Sequence, residues 1–83
     1  MTTVIFRTFP EGDVIALFPY EINYPDGCCE SYQRIGQHGA ADYQHVCRIT
    51  RPATLEEIAP LAQELERIGY RLKILKRKPR GAK

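Results

Sequence analysis

The sequence predicts an α+β fold: a two-layer antiparallel sheet of four to five strands with one main helix, in the order β-β-β-β-α-β. Three observations predict it. Residues 2–9 and 14–20 are short runs rich in β-branched and aromatic types, joined by a turn. Residues 54–69 carry apolar side chains at spacings of three and four, bracketed by a helix start signal and a glycine. Residues 70–77 then return to strand-like alternation. At 83 residues the chain holds one domain, set at 1–78, with 79–83 as a basic flexible tail.

In the first hairpin, Pro10-Glu11-Gly12-Asp13 is the turn, because proline presets φ and glycine tolerates positive φ. Pro19 cannot donate to a ladder and marks the end of the second strand. Tyr24-Pro25-Asp26-Gly27 is a second turn, and residues 28–35 alternate as a third strand. Residues 36–42 read as a loop or short helical turn, and residues 43–50 as a fourth strand, with a helical turn as the other reading. Thr54 and Glu57 form a capping box. Leu55, Ile58, Leu61, Ala62, Leu65 and Ile68 then line one helix face, and Gly69 suits the C-cap. Pro60 lies inside this helix and predicts a kink or a fresh start. In the last strand Tyr70, Leu72 and Ile74 point inward, and Arg71, Lys73 and Arg77 outward.

The hairpin is apolar on both faces. Val4, Phe6, Ala16 and Phe18 share one; Ile5, Phe9, Ile15 and Leu17 share the other. One helix covers one face, so the set Ile5, Phe9, Ile15 and Leu17 predicts a homodimer interface. The competing reading is that residues 19–28 or 36–42 fold over that face.

Composition excludes several classes. The hydrophobic share is 43% and the charged share 27%, which argues for a globular chain over a disordered one. There is no apolar run of membrane-spanning length and no secretory signal pattern, so no membrane contact and a cytoplasmic location are expected. Charge is unevenly laid out. Residues 1–66 hold all ten acids and four bases, a net −6, whereas residues 67–83 hold eight bases and no acid. This suggests an acidic body and a basic arm whose Arg71, Lys73, Lys76, Arg77, Lys78 and Arg80 could meet phosphates or an acidic protein surface. Tyr32 and Tyr70 would add stacking platforms if the target were a single strand of nucleic acid.

Cys28, Cys29, His38, His45 and Cys47 form the soft-ligand set, but their spacing fits no zinc template. Reduced thiols packed as small apolar groups are expected, with no metal and no cofactor. The loop Gly36-Gln37-His38-Gly39 matches no phosphate-binding fingerprint; Gln37 and His38 stand as candidates for anion contact. The carboxylate pairs Glu56-Glu57 and Glu64 with Glu66 lie on the helix, and Glu56 and Glu57 complement its N-terminal dipole. No nucleophile with a base and orienting group is announced, so no catalytic residue and no enzyme activity are expected.

The stretches TTVIFRTFPEGDVIALFP, SYQRIGQHGAADY and RPATLEEIAPLAQELERIGYRL together resemble short proteins carried by phages, prophages and integrative elements of bacteria. The resemblance runs from about Thr2 to Leu72, and its most distinctive part is Ser31 to Asp42. It brings no catalytic residues with it. It implies a non-enzymatic protein acting by stoichiometric binding, such as an anti-CRISPR or other anti-defence inhibitor of a host protein or ribonucleoprotein complex. The alternative is a small nucleic-acid-binding module using the basic arm.

Overall fold

The strand Thr2–Thr8 (β1) is the centre of the architecture. It pairs antiparallel with Val14–Phe18 (β2), with Ile5 opposite Leu17 and Thr8 opposite Val14. Cys29–Gln33 (β3) pairs antiparallel with β2, and Gln37–Ala41 (β4) with β3. On the other side β1 carries two short partners in tandem. Arg51–Pro52 (β5) runs antiparallel beside Arg7 and Thr8. Leu72–Leu75 (β6) runs parallel beside Thr2–Ile5. The six-stranded sheet therefore has the path β4-β3-β2-β1-β5, with β6 on β1. The computed structural model describes residues 1–22, 27–33 and 37–75, with Gln37 and His38 by their backbone alone. The predicted turn residues Tyr24, Pro25 and Asp26, and the tail 79–83, lie outside the described residues.

Period-two alternation sends neighbouring side chains of β1 and β2 into two different cores. Val4, Phe6, Ala16 and Phe18 join Tyr32 beneath Leu61, Ala62 and Leu65 of the helix Leu55–Arg67 (α2). The predicted capping box is present: Glu57 N donates to Thr54 Oγ1, and Thr54 N donates to Glu57 Oε1. At the other end Tyr70 N donates to Leu65 O and Gly69 N to Glu66 O, with Gly69 at φ 113°. That is a Schellman closure, and its positive φ favours glycine. Tyr70 then stacks on Phe18, ring centroids 5.5 Å apart. The helix runs unbroken through Pro60, without the predicted restart.

The α+β class, the sheet and the main helix are as predicted, except that β6 joins β1 in parallel and Ile74, expected inward, is 42% exposed; the larger differences lie in the middle of the chain. Residues 37–41 are strand where a loop was expected, and Tyr43–Ile49 is a second helix (α1) where a strand was preferred. Asp42 caps α1 by accepting the His45 N–H, and Tyr43, Val46 and Cys47 turn inward at helical spacing. These three pack on Ile5, Ile15, Leu17, Cys29 and Ala41, with Phe9 at the margin. This corrects the reason for expecting a homodimer. Ile5, Ile15 and Leu17 are 1%, 5% and 0% exposed within a single chain. The sheet carries a helix on each face.

Arg7 fastens α1 to the sheet. Its guanidinium is nearly buried and donates to Cys47 O at 2.9 Å, Thr50 O at 2.6 Å and Thr50 Oγ1 at 3.0 Å. The cation thereby meets the carbonyl end of the α1 dipole. No helix among the described residues is long and apolar enough to cross a membrane.

Candidate functional site

Sheet edges are where a small α+β protein exposes unpaired backbone donors and acceptors, and natural edges are usually blunted by charge or proline. On the β1 side the edge is blunted. β5 carries Pro52, which has no N–H, and Arg51, which is held by Glu57 at 2.7 Å. β6 carries the exposed Lys73. At the opposite side β4 pairs, among the described residues, with β3 alone, and Gln37–Ala41 contains no proline, no lysine and no acid. Its described side chains are Gly39, the exposed Ala40 and the buried Ala41.

Beside this edge, on the α1 face, lies a depression of about 480 Å³. Ser31, Gly39 and Ala41 belong to its floor side; Ile15, Gln33, Ala40, Asp42 and Val46 complete the lining. The floor follows from register, because Leu17, Ser31 and Gly39 are cross-strand partners and share a face. Ser31 is buried and its Oγ donates to Gly39 O at 2.8 Å. Asp42 supplies the charge of the lining. Six of the depression's eight described lining residues fall within Ser31 to Asp42; Ile15 and Val46 come from β2 and α1.

A second depression of about 370 Å³ lies between the β1–β2 turn and α2, lined by Gly12, Asp13, Val14, Glu57, Pro60, Leu61 and Glu64. Its glutamates are engaged. Glu57 accepts from Arg51, from Thr8 Oγ1 and from Thr54 N, and these contacts pull its carboxyl down to about 2. Glu64 accepts from the Tyr32 hydroxyl. Both carboxylates are held by hydrogen bonds from the sheet.

Cys29 and Cys47 share the α1-side core as small apolar side chains. Cys29 and Cys47 are buried and Cys28 is half-buried. Burial pushes the Cys29 thiol up to about 11, which removes it from nucleophilic work near neutrality. Burial also pushes the Tyr43 phenol up, and its hydroxyl has no hydrogen-bond partner among the described residues. No cluster of three or more His, Cys, Asp or Glu suited to a metal occurs among the described residues.

Of the predicted basic set, Arg71 and Lys73 are exposed at β6; Lys76, Arg77, Lys78 and Arg80 lie outside the described residues. Tyr32 is no stacking platform: it is 1% exposed, under α2. Tyr70 is stacked on Phe18. Gln37 and His38 belong to the backbone of β4, and their side chains lie outside the described residues. The edge itself escaped the sequence reading because Gly39-Ala40-Ala41 lacks strand-forming types. Compared with family models, curated proteins and solved structures, the chain has no match.

Proposed function

We propose that this chain is a non-enzymatic binding protein of a phage or mobile element that acts by stoichiometric attachment to a host protein complex, through pairing at the β4 edge. The observation that carries this reading is the asymmetry of the sheet: proline, a paired arginine and lysine at β5 and β6, and neither charge nor proline in β4. Backbone pairing at an open edge supplies affinity without cofactor or chemistry. The resemblance of Thr2–Leu72 to mobile-element proteins supports an anti-defence role for the attachment.

The test is phage plating on a host with active CRISPR immunity that expresses the chain. The parent should raise plating well above that of the same host without the chain. Ala40→Lys should abolish the gain at unchanged expression, because Ala40 is exposed and a lysine there guards the edge. Unchanged plating with the parent removes the anti-defence reading.

The exposure of Arg71 and Lys73 on one side of β6 favours a second reading, contact with nucleic acid. Binding of a bare single-stranded oligonucleotide that collapses with added salt and with removal of residues 76–83 would select it.

A further inference from the structure

Among the described residues, nothing requires Gly39 to be glycine. Of the four described glycines, Gly12, Gly27 and Gly69 take φ of 103°, 83° and 113°, and Gly39 does not share that region. A Cβ built at Gly39 meets nothing within 4 Å among the described residues. Glycine inside a strand weakens it, and where φ is ordinary it marks a place that something else approaches closely. Its missing side chain would stand on the α1 face, over the depression lined by Ser31, Ala41, Ile15 and Val46. The vacancy and the open edge adjoin.

Resting on the strand-pairing reading above, we infer that the occupant is an extended segment of another protein. It pairs antiparallel with β4 and lays a bulky apolar or aromatic side chain across Gly39 into this depression. The residue opposite Gly39 in an antiparallel pair points to the same face as Gly39, and a large side chain opposite a glycine covers its bare backbone. Charge defines the flank. Asp42 follows Ala41 in the lining, so an antiparallel partner brings the residue two before its bulky one, opposite Ala41 and on the same face, next to that carboxylate. A basic residue there is complementary; an acid is opposed. A second copy paired in register fits less well, since Gly39 opposite Gly39 leaves the depression empty.

The experiment is titration of the isotope-labelled full chain with capped peptides about seven residues long, followed by amide shifts. The peptides alternate Thr and Val around a central Phe, with Lys two positions before it. Companion peptides carry Ala at the centre, or Glu in place of Lys. Shifts should cluster on β4, Ser31 and Val46, with affinity about tenfold higher for Phe than for Ala and about threefold higher for Lys than for Glu. Gly39→Val should erase the preference for Phe while keeping a thermal midpoint at or above the parent's. Equal affinity for the Phe and Ala peptides at β4 overturns this inference and leaves the strand-pairing reading standing. No shift at β4 with any peptide overturns both. Light scattering that shows a dimer, made monomeric by Gly39→Lys, overturns it in favour of a second copy.

Discussion

Glu57 draws together three parts of the chain. Its carboxylate accepts from Thr8 on β1, Arg51 on β5 and the Thr54 amide that opens α2. Protonation weakens every one of these bonds. Its folded value, about 2, lies below the ordinary carboxylate value of 4.5. A group depressed in this way lends stability above its unfolded value, and the contribution drains as pH falls through the folded value. The thermal midpoint should therefore decline between about pH 5 and pH 2. Glu57→Gln keeps the shape of the side chain but removes the charge. It should lower the midpoint at pH 7 and flatten that part of the acid limb, as read by circular dichroism melts across pH. An equally steep limb in the variant would show that other carboxylates govern acid unfolding. Thr8 makes the point from the other partner: it is 0% exposed, and its hydroxyl is satisfied by Glu57.

At the scale of elements, α2 tolerates an interior proline because tertiary packing outweighs propensity. Leu61, Ala62 and Leu65 are buried, while Pro60 faces outward. Pro60 still lacks the N–H that would reach back to Glu56. Pro60→Ala should raise stability by about 1–3 kcal/mol in urea denaturation, with an unchanged slope. A loss instead would mean that the ring is packed where it lines the groove near Asp13 and Glu64. The start and end of α2 were legible because Thr54, Glu57 and Gly69 act locally, within one helical turn. The middle of the chain was not. Residues 43–50 hold Tyr, Val, Ile and Thr, which favour strands, yet Tyr43, Val46 and Cys47 are also at helical spacing, and Asp42 supplies the cap. What decides between the two is the Ile5–Ile15–Leu17 face that only a helix of this chain could reach and cover. Long-range contact selected α1 against local preference. Gly39-Ala40-Ala41 became a strand for the same reason, by pairing with β3. The candidate site lies in that part of the chain, so its geometry was hidden although its residues stood out.

Across the whole molecule, one sheet serves two cores. Val4 and Val46 stand on opposite sides of it, both buried, with no packing partner in common. Alternate residues of β1 and β2 feed each core, so a lesion on one side loosens the strands that the other side needs. Val4→Ala and Val46→Ala should each cost roughly 1–3 kcal/mol, from lost burial and a residual cavity. Each variant should still unfold in one transition, with far-ultraviolet and tyrosine signals coincident. Because the sites are separate, the double variant should lose the sum of the two to within about 0.5 kcal/mol. Two transitions in Val46→Ala would instead make α1 a separately melting layer. That distinction bears on function, since Val46 lines the depression and Arg7 ties the end of α1 to β1. In a single cooperative unit the β4 edge is held ready with the full stability of the fold behind it. A partner strand then meets a preorganised surface and loses little affinity to ordering it.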